Sequence, residues 1–118
     1  MYTIFGIPNC DTVKKAITWL KENKIDYQFH DYKVAGIDAA TLQSWCEQVN
    51  WDIIFNKRST TYKELPSSLQ QSITTAAKAI PVMQQHTSII KRPIIVKKGK
   101  VVAVGFDAGK YEEIFGFS

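Results

Sequence analysis

The sequence predicts an α/β chain built on a small mixed sheet, and three observations carry that prediction. Near the start, an apolar run at residues 2–5, a helical pattern at 13–20 and an alternating run at 25–31 follow as strand, helix and strand. Near the end, apolar runs at 94–96 and 101–104 flank Lys98-Gly99 and lead into an amphipathic stretch. Between these halves, residues 36–90 show helical spacing interrupted by proline.

Composition sets the bounds. A chain of 118 residues is expected to form a single domain over 1–118, with a helical insertion at about 36–90, and to bury a core without disulfide staples. Its 45% apolar and 22% charged residues are those of an ordinary soluble globular protein. No apolar run reaches the roughly 18 residues of a membrane span. The start reads as a strand and not as a signal peptide, so the cytoplasm is the expected compartment. Cys10 and Cys46 are too few for a disulfide framework and match no zinc spacing, so free thiols and no metal are expected. A net charge of +4 suits an anionic ligand but is too small to argue for direct nucleic-acid binding.

Each element has a local reason. Residues 2–5 are aromatic and β-branched and stop at Gly6. Asp11 or Thr12 is the expected cap of the next helix, whose apolar face is Ala16, Ile17 and Leu20 and whose end is Asn23-Lys24. In the run 25–31, Ile25, Tyr27 and Phe29 face one way, and Asp26, Gln28 and His30 the other. Strand, helix, strand with a helix-length crossover predicts a right-handed βαβ unit with parallel strands.

Gly36 then breaks the chain, and Asp38 is placed to cap a helix bearing Leu42, Trp45, Cys46 and Val49. Residues 51–55 are an apolar run, and 56–62 are polar with turn character. Prolines 66 and 81 divide a weak helical pattern, giving two expected short helices at 74–80 and 82–85. Pro93 cannot donate a ladder bond, so it belongs at the first position of the strand that follows. Lys98-Gly99 is a hairpin turn signal, and Gly105 serves the turn after the hairpin. The closing helix should bury Tyr111, Ile114 and Phe115. The order β-α-β, then β-β-α, with an all-helical insertion between, is the skeleton of the thioredoxin-like fold with a mixed four-stranded sheet.

Cys10 sits where the first strand turns into the first helix. A free thiol, with pKa of about 8.5, is mostly protonated at neutral pH, and only the thiolate is a nucleophile. The amides and partial positive charge of a helix N-terminus favour the thiolate, and Lys14 and Lys15 one turn on add to this. Cys46 shares a helix face with Leu42 and Val49 and reads as a small core hydrophobe. His30 lies on the polar side of its strand and reads as solvated; His86 has no partner visible in sequence.

Pro8-Asn9-Cys10-Asp11-Thr12, Asn56-Lys57-Arg58 and Lys91-Arg92-Pro93-Ile94 together resemble the ArsC/Spx family over almost the whole chain. Phe29-His30-Asp31-Tyr32 and Gly105-Phe106-Asp107 bring it nearest the YffB-type branch. The resemblance implies Cys10 as the catalytic nucleophile of a glutathione-dependent monothiol oxidoreductase. Glutathione is then the co-substrate, and no cofactor is bound. It implies that Arg92 and Arg58 hold glutathione or an anionic substrate, that Pro93 is cis and faces the cysteine loop, and that Asn9 and Thr12 belong to the site. Lys57 and Lys91 read as surface charges. The alternatives it implies are an Spx-like interaction protein that docks on RNA polymerase, or an arsenate reductase. Three positions depart from those alternatives. Gly6 stands where glutathione-coupled arsenate reductases carry a histidine, and Gly105 where they carry a third arginine. Val13 stands where Spx regulators often carry a second cysteine, which excludes an intramolecular dithiol switch.

Overall fold

The computed structural model describes residues 1–116. Its first elements are β1 (Tyr2–Gly6), α1 (Asp11–Glu22), β2 (Tyr27–Asp31), α2 (Tyr32–Ala35), α3 (Ala39–Gln48) and α4 (Trp51–Ile54). There follow α5 (Thr60–Lys63), α6 (Ser67–Ser72), α7 (Ala76–Gln85), a 3₁₀ turn (Thr87–Ile89), β3 (Ile94–Lys97), β4 (Lys100–Val104) and α8 (Ala108–Phe115). They form two compact units: residues 1–34 with the stretch from Arg92 onward, and Ala35–Lys91.

The first unit holds a four-stranded sheet in the order β2-β1-β3-β4. β1 runs parallel to β2 and antiparallel to β3, and β3 is antiparallel to β4, so the sheet is mixed as the sequence predicts. The fold is the thioredoxin-like arrangement of βαβ and ββα halves. Lys98 and Gly99 both take positive φ (52° and 79°), which matches the twist of a tight two-residue hairpin. On one face of the sheet, Ile4, Ile95 and Ala103 meet Ala16 and Leu20 of α1 and Tyr111 of α8. Ile25, Tyr27 and Phe29 pack against this cluster, in keeping with the alternation read from their run.

Three local expectations are corrected here. The N-cap of α1 is Cys10, in extended backbone (φ −145°, ψ 124°), and Asp11 and Thr12 lie inside the helix. The chain turns helical one residue early because the Cys10 carbonyl already accepts the first helical bond, from the Lys14 amide at 2.9 Å. β2 begins at Tyr27, since the Ile25 amide is still bonded to the Leu20 carbonyl at the helix exit (2.9 Å). In α8, Tyr111 is buried and Phe115 packs beside it, but Ile114 is 38% exposed. Tyr111 and Phe115, four apart, share the inner face, and Ile114 sits at the edge of that stripe.

In the second unit, Asp38 caps α3 by accepting the Thr41 amide at 2.7 Å. Leu42 and Trp45 are buried, whereas Cys46 and Val49 are only half-buried. The two short helices expected around Pro81 are one helix, α7, which runs through it. Proline removes one ladder donor. Ala79, Ile80, Val82 and Met83 on either side are all buried, and Pro81 itself faces solvent, so packing outweighs the lost bond. Residues 51–55 form a helical turn whose exit is tied back to the end of the unit. The Lys91 amide donates to the Ile54 carbonyl (2.8 Å) and the Asn56 amide to the Ile89 carbonyl (2.8 Å).

Candidate active site

β1 ends at Gly6, opposite Asp31 of β2. Ile7, Pro8 and Asn9 then carry the chain to Cys10, with Pro8 and Asn9 exposed and Cys10 partly so. Burial by itself pushes the Cys10 thiol up. The amide of Val13, the Arg92 guanidinium that hydrogen-bonds the sulfur, the amide of Thr12 and the charge of Arg92 outweigh it, and the thiol lies below its ordinary value. The side chain makes no conventional capping bond, so the first-turn amides act on the sulfur together and not through one cap. This is the field expected at a helix N-terminus, where the first amides have no partner within the helix.

Arg92 comes from the far side of the sheet sequence, immediately before β3. Its side chain is half-buried, with Nε sealed from solvent. Its bond to Pro93 is cis, and Pro93 is buried. The Pro93 carbonyl accepts the Gly105 amide at 2.8 Å, and the Gly105 carbonyl accepts the Tyr111 hydroxyl at 2.6 Å. Gly105, at φ 78°, therefore ties α8 to the loop that presents Arg92, beyond serving the turn.

The sequence thus named two residues that the fold brings together, Cys10 and Arg92. Thr12 joins them through its backbone amide. The positive charge acting on the sulfur is that of Arg92; Lys14 and Lys15 are exposed on α1. Arg58 belongs to the second unit, exposed just before α5, with its amide bonded to the Asn56 side chain at 3.1 Å. His30 is half-buried, not simply solvated, and its ring lies 4.7 Å from that of its cross-strand partner Phe5.

One site residue was missed by sequence reasoning. Tyr32 is 1% exposed. Burial pushes its phenol far above the ordinary range; Arg92 draws it down and the Cys10 thiolate pushes it up, so both act on it. The available signal was its position, one residue beyond Asp31, which pairs with the last residue of β1. Among the described residues, no cluster of His, Cys, Asp or Glu could hold a metal ion, and no helix is long and apolar enough to cross a membrane.

The ArsC family profile matches residues 5–114. The chain belongs to the ArsC family. Within it the similarity is to the YffB-type branch: the solved YffB protein is 40% identical, with a TM-score of 0.90, covering 97% of this chain and 98% of that one. An arsenate reductase-related protein from Brucella melitensis is also 40% identical, with a TM-score of 0.75, over 98% of this chain and 95% of its own. The global transcriptional regulator Spx of Streptococcus pneumoniae is 27% identical over 91% of this chain and 80% of its own.

Proposed function

We propose that this ArsC-family protein is a glutathione-dependent monothiol oxidoreductase with Cys10 as its nucleophile. The observation that carries the reading is the environment of the Cys10 sulfur, where two helix amides and the Arg92 guanidinium overcome the cost of burial. In the proposed reaction the Cys10 thiolate attacks one sulfur of a disulfide that includes glutathione. A bond forms between Cys10 and the glutathione sulfur, the old S–S bond breaks, and the other thiol leaves as its thiolate. Val13 occupies the position where a second cysteine would have to stand. The mixed disulfide is therefore resolved from outside: the thiolate of a second glutathione attacks it, releasing oxidised glutathione and the Cys10 thiolate. Exchange of this kind is fastest for a thiol whose pKa lies near ambient pH.

In this reading Arg92 has two roles. It holds the thiolate, and its planar fork suits a carboxylate of glutathione or another anionic substrate. Asn9, Thr12 and Pro93 flank the attack position in this reading. The test is mass spectrometry after incubation with oxidised glutathione. One glutathione adduct is expected on Cys10, and none in Cys10→Ser; an adduct carried by Cys46 alone would sink the reading.

A second reading, an interaction protein that docks on RNA polymerase, is favoured by the similarity to Spx. Its test is capture of polymerase from lysate. Equal recovery by the wild type and by Cys10→Ser would favour docking over thiol chemistry.

A further inference from the structure

Gly6 is buried at the end of β1, and its backbone does not need a glycine: positive φ occurs at four other glycines and not here. What the position does require is room. A Cβ built on Gly6 would stand 3.0 Å from Cγ2 of Val13 and 3.8 Å from Cβ of Arg92. Carbon atoms pack at about 3.5–4.0 Å, so the Arg92 contact is an ordinary one, while the Val13 contact is tighter than normal packing and requires Val13 to give way. A glycine inside a strand often marks such a close approach.

We propose that Gly6 is a positioning residue for the cysteine site: lacking a side chain, it lets the first turn of α1 settle against the end of β1 beside the Arg92 loop. The reason lies in which residue it touches. Val13 is fully buried and lies in the first turn of α1. A β-branched side chain in a helix is held in one strongly preferred rotamer. Val13 therefore cannot swing away from an added methyl, and the displacement passes to its backbone. That backbone carries one of the two amides acting on the Cys10 sulfur. An alanine at position 6 thus acts on the sulfur through the helix turn, without touching Cys10. The inference rests on the proposed reading of Cys10 as a thiolate.

The experiment is the pH dependence of Cys10 alkylation by iodoacetamide, measured in the Cys46→Ala background for the parent chain, Gly6→Ala and Gly6→Ala/Val13→Ala. Neither added substitution removes Arg92 or Tyr32, the titratable side chains that act electrically with the sulfur. Gly6→Ala is expected to raise the midpoint by about half to one unit, which slows alkylation near neutral pH by about three- to tenfold. The double variant removes the crowding methyls of Val13 and is expected to recover the parent midpoint. A parent midpoint at the ordinary thiol value would refute the thiolate reading itself. A depressed parent midpoint that Gly6→Ala leaves in place would overturn only the role of Gly6, even if the variant melts earlier. If Gly6→Ala does not fold, the double variant decides: the proposal expects it folded with the parent midpoint. A raised midpoint there, or failure of the double variant to fold, overturns the proposal.

Discussion

Cys10 and Cys46 are both partly buried thiols, and burial pushes both of them up. For Cys46 nothing opposes that push, and its thiol lies above the ordinary value. For Cys10, amides of Val13 and Thr12 and the Arg92 guanidinium reverse the sign. Cys46 stands in the last turns of α3, where the neighbouring amides are already bonded along the helix; Cys10 stands at the start of α1, where they are not. Accessibility therefore does not separate the thiol that is drawn down from the one that is pushed up. The supply of unspent donors does.

The largest effect on this contrast is expected from Arg92→Ala. It removes both a hydrogen bond to the Cys10 sulfur and a full charge beside it. Only the Val13 and Thr12 amides then remain to oppose burial. The midpoint of Cys10 alkylation should rise by about one unit or more, a tenfold loss of thiolate per unit below it. Glutathione adduct formation should slow by at least as much, because the proposed anion contact goes with the same side chain. An unchanged midpoint would mean that helix amides alone set the thiolate, and the comparison would reduce to position on the helix.

Tyr32→Phe should have a smaller effect. The phenol is held neutral by burial far above the pH at which Cys10 titrates, so it carries no charge to the sulfur there. Phenylalanine keeps the buried ring. The Cys10 midpoint is expected to move by less than about half a unit, read from the same alkylation profile. A shift as large as that of Arg92→Ala would make the hydroxyl a direct donor to the sulfur and add it to the groups that distinguish Cys10 from Cys46.

Much of the frame behind this contrast was legible in the sequence. Period-two alternation over 25–31, the Lys98-Gly99 turn and the Asp38 cap are local signals, and local chemistry decides them. Cys10 and Arg92 were named through their motifs, and the sheet brings them together because β1 and β3 are adjacent. What was not legible depends on packing. The cap of α1 falls on Cys10 because of where the backbone turns, although Asp11 and Thr12 are the better cap types. α7 survives Pro81 because four buried neighbours hold it. Tyr32 lies just beyond the alternating run, and only its place at the start of α2 shows that its ring is buried. Gly6 reads as a missing side chain, and only the distance to Val13 shows that the space is already taken.

The smallest expected effect is that of Cys46→Ala, and it tests the contrast from its other side. The glutathione adduct on Cys10 and its alkylation midpoint should both be unchanged. The two thiols should differ instead in how they couple to stability. The folded-state pKa of Cys46 is raised, so its contribution is present below the unfolded value of about 8.5 and is lost as pH rises through the folded value. The folded-state pKa of Cys10 is lowered, so its contribution is present above the unfolded value and is lost as pH falls through the folded one. In urea unfolding across about pH 6 to about pH 10, Cys46→Ala should therefore cost less at the alkaline end, and Cys10→Ser should cost more there. Parallel curves for the two variants would mean that the first turn of α1 and Arg92 do not act on the sulfur as the geometry indicates, since two thiols of similar exposure differ only through the donors around them.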